Sequence, residues 1–258
     1  MFLAPRLLKL QTKVKTPTGF SISNLDGLVT WFKFNTNISV ADQDSDGDAD
    51  ISWTSSHTDG RNARQNVDAQ EPSTTGGYIQ FSGLTGSDAD NLDISSDIEL
   101  NEFVIFLALD LDVFTNETII GNRTNAHDFL RFGFQNLANK ARFRRTSSSY
   151  NDDFVMSEDM TSGTPNLMTI RCFNNGSSTT VQIRRATKSG STITTNQVCE
   201  EIGSTFAFDQ TLTLNTIGVQ TTNSAPMEGK LYEFVVFSGT LSDANIALIE
   251  ADILNRVA

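Results

Sequence analysis

The sequence is short of the residues on which most protein chemistry is built. Its 258 residues include two cysteines and two histidines. Two thiols make no disulfide framework, so Cys172 and Cys199 are expected as buried free thiols, with a Cys172–Cys199 bond as the alternative. His57 has no cysteine or second histidine near it and reads as a hydrogen-bonding loop residue, not a ligand or base. His127 is followed by Asp128, but neighbours on a strand point to opposite faces, so that adjacency builds no catalytic dyad. A Ser-His-Asp site would have to recruit one of these two positions, and no Gly-x-Ser-x-Gly elbow, His-Glu-x-x-His motif or Walker loop is present. Positive charge is also scarce, with 19 Lys and Arg against 31 Asp and Glu and a formal net charge of −12. That balance argues against a nucleic-acid partner, because phosphate-backbone affinity comes from Lys and Arg. It suits solubility, crowded assembly and divalent cations. No stretch is long and apolar enough to span a bilayer. Met1–Lys9 lacks the apolar run and cleavage site of a signal peptide, so assembly in a cytoplasm is expected.

What is abundant points to β structure. There are 18 Phe and 17 Gly beside many Thr, Ser and Asn, a composition for short strands joined by polar turns. The length suits one main domain, residues 25–258. Residues 1–24 differ: Arg6, Lys9, Lys13 and Lys15 are interleaved with Leu7, Leu8, Leu10 and Val14, while Pro5 and Pro17 discourage one continuous helix. This arm is expected either to dock on a neighbouring subunit or particle, or to add an edge strand to the same domain.

The last fifty residues organise the rest. A strand over Thr211–Gln220 is followed by a loop closing at Pro226–Gly229 and a strand over Gly229–Ser238, which alternates Leu231, Glu233, Val235 and Phe237 against Tyr232, Phe234 and Val236. Both faces are largely apolar, so this strand is expected to be buried on two sides. Gly239-Thr240-Leu241 breaks it. Ser242 then caps a helix over 242–257, Asp243 meets its positive end, and Ile246, Ile249, Ile253 and Val257 recur at helical spacing.

Upstream, Val29 and Trp31 alternate with Thr30, Phe32 and Phe34, and Trp31 is assigned to the core. Further strands are expected at Tyr78–Gly83, Asp90–Ile94, Phe103–Asp112, Glu117–Asn122, Phe129–Gln135, Ala141–Thr146, Asn166–Phe173, Thr179–Thr187 and Ser191–Val198. Asn174-Asn175-Gly176 and Lys188-Ser189-Gly190 serve as hairpin turns. The stretch after Trp53, through His57 to Ser73, reads as an irregular loop.

The run from Thr211 to Arg256, with its Ile-Gly strand, Gly-Lys-Leu-Tyr-Glu strand and Leu-Ser-Asp helix, resembles the closing segment of laminin-G-like, concanavalin A-type lectin domains common in bacteriophage virion proteins. The opening Leu28-Val-Thr-Trp-Phe32 strand is similar to the start of the same domains, so the resemblance spans nearly the whole domain. It implies an all-β, two-sheet antiparallel jelly-roll sandwich with one C-terminal α-helix. Together with the missing catalytic motifs, the resemblance points to a non-enzymatic virion protein, a capsid decoration, fibre or tail-associated component assembled in the host cytoplasm. Such a protein contacts other virion proteins through residues 1–24, forms a homo-oligomer in the particle, and exposes its lectin-like domain to glycans. A secreted bacterial carbohydrate-binding adhesin is the alternative. A laminarinase-like hydrolase on the same sandwich carries Glu-x-Asp-x-x-Glu on a strand; the Glu-x-Asp here, Glu250-Ala-Asp252, falls in the helix.

Two sets of site residues follow. Asp42, Asp44, Asp46, Asp48 and Asp50, with Gly47 among them, match the first half of an EF-hand-like calcium loop, although the twelfth position is Trp53 where a bidentate Glu belongs. The loop therefore either holds Ca2+ or is a solvated acidic surface. For a glycan, stacking and hydrogen bonding nominate Trp53, Tyr78, Tyr150 and Asn223. Arg142 and Arg144, joined by Arg171, Arg184 and Arg185, form the candidate basic patch for an acidic partner or sugar, with ordinary solvated strand arginines as the alternative.

Overall fold

The computed structural model describes residues 10–11, 19–42, 45, 49–176, 178–206, 210–221 and 225–258, with backbone only at 10–11 and 147–149. In the first half of the chain lie β1 (Leu10–Gln11), β2 (Leu28–Phe32), β3 (Ile38–Ala41), β4 (Asp50–Thr54), β5 (Asn62–Gln65), β6 (Ser73–Thr75), β7 (Tyr78–Ser82), β8 (Leu92–Leu100) and β9 (Phe103–Leu111). The second half holds β10 (Glu117–Gly121), β11 (Phe129–Phe132), β12 (Lys140–Arg145), β13 (Ser147–Val155), β14 (Asn166–Asn174) and β15 (Thr179–Ser189). It closes with β16 (Thr192–Ile202), β17 (Leu212–Ile217), β18 (Glu228–Ser238) and the helix α1 (Asp243–Val257).

The strands form two antiparallel sheets of nine. The first runs β1-β16-β15-β14-β9-β18-β7-β6, with β2 also paired to β18; the second runs β13-β12-β11-β10-β17-β8-β5-β4-β3. This is the expected jelly-roll sandwich with one C-terminal helix. The basic arm contributes β1, whose Leu10 and Gln11 pair with Thr195 and Thr194 of β16 at the sheet edge. The stretch expected as a loop after Trp53 contains β5, a strand too short to show an alternation of its own.

Two apolar clusters hold the layers. One lies between the sheets and gathers Phe32, Phe81, Phe132, Phe143, Phe154 and Phe206 with many aliphatic residues. The other joins the outer face of the first sheet, including Trp31, Val104, Phe106 and Phe237, to Ile246, Ile249, Ile253 and Val257 of α1. β9 serves both, and all nine of its residues are buried, as its unbroken apolar run requires.

β18 departs from simple alternation. Its pairing with β9 shifts register between Leu231 and Glu233. Leu231, Phe234 and Val236 consequently face the inter-sheet core, while Tyr232, Val235 and Phe237 join the cluster under the helix. The expected grouping of Leu231 with Glu233, Val235 and Phe237 is therefore corrected: the irregularity inserts one residue and reverses the phase. Gly229 just upstream has φ 140°, and a Cβ there would collide with the Asp110 carbonyl oxygen of β9. Only glycine lets the two backbones approach so closely.

α1 is capped as read, with the Ser242 hydroxyl oxygen accepting from the Asn245 amide at 3.2 Å. Polar ties hold it to the sheet below. Arg184 reaches the buried Glu250 at 2.9 Å, Arg256 reaches the buried Glu233 at 2.6 Å, and Arg171 reaches Asp243 at 2.8 Å. Glu250 also accepts from the Thr169 hydroxyl at 2.8 Å.

Both cysteines are free and buried, with burial pushing the Cys172 thiol up to about 11 and the Cys199 thiol up to about 12. His127 and Asp128 lie in the connection between β10 and β11, not on a strand. Asp128 there accepts from the Asn125 amide nitrogen at 2.9 Å and the Thr146 backbone at 2.8 Å, which makes it a loop brace.

Candidate functional site

α1 packs on β9, β14, β15 and β18, all strands of the first sheet. Among the described residues no α-helix covers the outer face of the second. There the alternation of β11 and β12 sends Leu130, Phe132, Ala141 and Phe143 into the core. Phe129, Arg131, Arg142 and Arg144 turn to the other side.

Strand register arranges these side chains in two rows. Thr118 of β10 stands opposite Arg131, Arg131 opposite Arg142, and Arg142 opposite Asp153 of β13. In the adjacent row Phe129 stands opposite Arg144, and Arg144 opposite Asn151. Directly opposed side chains on one face sit about 5 Å apart at Cβ, so the three guanidinium groups are near neighbours. They lie on aromatic rings. Arg131 sits 4.4 Å and Arg144 5.2 Å from the Phe129 centroid, and Arg142 sits 3.8 Å over Phe134 in the turn after β11. A guanidinium held over a ring in this way keeps N–H groups at its outer edge for a ligand.

Counter-charge is sparse on this face. Asp153 takes Arg142 in a two-pronged contact at 2.5 and 2.9 Å. Arg131 gives its Nε–H to the Thr118 hydroxyl at 2.9 Å. Among the described residues neither Arg131 nor Arg144 is in an ion pair, and the buried Nε of Arg144 has no hydrogen-bond partner. Burial, with Arg144 and Arg142 alongside, lowers Arg131 to about 10; burial and Arg142 lower Arg144 in the same direction. Both shifts reflect positive charge held close together and partly out of water.

The other nominated residues that the structure describes do not converge here. Trp53 is a correction: it is fully buried, 5.5 Å from the Phe32 ring, and its indole N–H donates to the Lys33 carbonyl at 3.2 Å. An aromatic wedged between the sheets stacks on core rings, not on a sugar. Tyr78 is half-buried on the first sheet, 5.3 Å from the Tyr232 ring. Tyr150 is half-buried on β13, just before Asn151. Asn223 lies outside the described residues, as do Asp44, Asp46 and Asp48 of the acidic loop. Of its flanks, Asp42 accepts from the Ser45 amide at 2.6 Å, and Asp50 is buried at the start of β4.

The proposed union of five arginines is also corrected. Arg171, Arg184 and Arg185 sit on β14 and β15 of the first sheet, Arg142 and Arg144 on β12 of the second. Arg131 was missed. Its signal was available, since it alternates with Leu130 and Phe132, but only the β11–β12 pairing places it beside Arg142.

A small cleft of about 190 Å³ lies between loops, lined by Gly83, Thr85, Thr115, Glu117, Ala225, Pro226 and Glu228. Glu117 is buried there and accepts from the Thr115 amide and hydroxyl and from the Glu228 amide. Burial raises its pKa, with Glu228 adding to the shift. Its bonds tie two loops together. Of the sequence's Glu-x-Asp pair, Glu250 is buried against Arg184 and Asp252 is bound to Arg256.

No family model matches the sequence, and no curated protein is similar to it. Solved structures match at low identity and with TM-scores under 0.5. Domain 4 of AbnA, an extracellular arabinanase from Geobacillus stearothermophilus, in complex with arabinotriose, is 12% identical with a TM-score of 0.47 over 90% of this chain and 98% of that one. The Ruminococcus gnavus sialidase CBM40 bound to α2,3-sialyllactose is 12% identical with a TM-score of 0.44, over 67% of this chain and 95% of that one. An endo-1,3-β-glucanase from Streptomyces sioyaensis is 9% identical with a TM-score of 0.34, over 85% of this chain and 100% of that one.

Proposed function

We propose that this chain is a non-catalytic carbohydrate-binding domain that takes its glycan on the outer face of the second sheet. The observation that carries this reading is the pair of side-chain rows on β11 and β12, where guanidinium groups sit over Phe129 and Phe134 beside Thr118 and Asn151. A sugar offers hydroxyls to a fixed fan of N–H donors, and these rows supply that fan. Glycoside hydrolysis needs two carboxyl groups flanking one bond. Glu117, Glu250 and Asp252 are each engaged in structural contacts, which supports binding without turnover. The resemblance to phage particle domains supports placing this binding at a virion surface, with residues 1–24 toward neighbouring subunits. A glycan array probed with and without calcium tests the reading. Signal on a defined group of glycans, with no release of reducing sugar on long incubation, is expected; a blank array in both conditions would end it.

A further inference from the structure

We infer that the ligand of this face is an acidic glycan, whose carboxylate or sulfate groups are held by Arg131 and Arg144 with Arg142 beside them. The inference rests on the carbohydrate-binding reading and adds the class of sugar.

The argument starts from how the chain uses its other arginines. On the first sheet each strand arginine has a carboxylate: Arg171 has Asp243, Arg184 has Glu250 and Arg185 has Glu158 at 3.6 Å. Acidic residues outnumber basic ones, 31 to 19, so partners are not in short supply. Yet Arg131 and Arg144 stand beside Arg142 on one face, and the one carboxylate paired there, Asp153, is taken up by Arg142.

Like charges side by side repel, and a face that holds three guanidinium groups with one carboxylate paired to them among the described residues is set for an anion from outside. Burial first, and then the neighbouring Arg144 and Arg142, lower the pKa of Arg131, with Glu117 acting in the opposite direction. A guanidinium fork matches the two oxygens of a carboxylate or sulfate, and stacking on Phe129 holds the fork in place before the ligand arrives. Arg144 is half-buried and in no ion pair among the described residues, so the outer edge of its guanidinium is the donor that a bound anion would meet.

A nucleic acid is a poorer fit. A duplex carries one phosphate per ~1.7 Å of axis and draws its affinity from many cations. β11 and β12 offer three arginines and Lys140 on this face, on a chain of net charge −12 that repels a long dense polyanion. An acidic polysaccharide spaces its charges by whole sugar units, and its hydroxyls use the neutral donors alongside.

The test is titration of the full chain with a polyuronate, a sulfated polysaccharide, and the carboxyl-reduced and desulfated forms of each. The charged forms should bind and the neutralised forms should bind at least tenfold more weakly; comparison of the two charged series identifies which anion is preferred. Arg144→Gln should weaken the charged ligand about tenfold, the value of one charge-assisted hydrogen bond. Arg131→Gln should do the same if it folds, while Arg64→Gln, exposed on β5, should change little. Asp153→Asn should move the other way, tightening the charged ligand by releasing Arg142. A purely structural role for these residues would not produce opposite signs. Equal binding of charged and neutralised forms, or an unaffected Arg144→Gln variant, would overturn the acidic-ligand inference and leave the carbohydrate reading standing. Retention of no polysaccharide would overturn both, and tighter binding of a short single-stranded DNA would overturn the inference in favour of a phosphate ligand.

Discussion

Arg256, in the last turn of α1, places its guanidinium 2.6 Å from the carboxylate of Glu233, which has no exposed surface and lies near the middle of β18. The same carboxylate accepts from the Trp31 indole at 2.7 Å and from the Phe34 amide at 3.3 Å. One buried anion thus joins a central strand, the β2 end and the helix.

Removing the cation leaves that anion inside an apolar layer. Arg256→Ala is expected to cost about 3 kcal/mol, the usual scale for breaking one side of a buried pair. Urea unfolding followed by tryptophan fluorescence checks this, and Trp31 should change its emission even in the folded variant. A loss below ~1 kcal/mol would mean that apolar packing alone holds α1.

Glu250 and Arg184 form a second tie of the same kind, with the Glu250 side chain 1% exposed. Arg184→Ala is expected to destabilise by roughly 3 kcal/mol, whereas Arg184→Met combined with Glu250→Leu should come close to the parent, because no uncompensated charge remains. A double-mutant cycle in urea measures the difference. Equal losses in the single and double variants would refute it.

Burial raises the pKa of Asp110, Glu117 and Glu250 above the ordinary carboxylate value. An acid raised in this way holds its proton more tightly when folded. Its contribution is complete below the unfolded value and is lost as pH rises through the folded one. The melting temperature should therefore fall as pH is raised from about 4.5 toward about 7, and growing net negative charge acts in the same direction. Glu117→Gln should flatten part of that slope in a calorimetric series.

The two thiols should be silent in the native protein. Burial pushes both well above neutral pH, so little thiolate is available to attack a disulfide reagent. Titration with a chromogenic disulfide at about pH 8 should count no fast thiols in buffer and both after denaturation; a fast native thiol would contradict the buried assignment.

Elements whose pattern repeats over short distances were legible before the fold. β9 announces itself by an unbroken apolar run, α1 by isoleucines at helical spacing after a serine cap, and the hairpin between β15 and β16 by Ser189-Gly190. Residues whose role depends on a distant partner were not. Trp53 reads equally well as a surface aromatic or a core one until β4 is placed between β3 and β5. The phase of Tyr232 turns on an irregularity visible only against β9.

The sequence by itself determined the class of the fold, because period-two alternation, turn residues and one amphipathic tail are local preferences that act within a few bonds. It also determined that the chain would be acidic and poor in catalytic groups. Only the tertiary structure decided which arginines share a face, since strand pairing joins positions far apart in the chain. It gave Arg184 a buried glutamate and left Arg131 beside Arg142 and Arg144, a difference that arises because α1 covers the first sheet while, among the described residues, no α-helix covers the second.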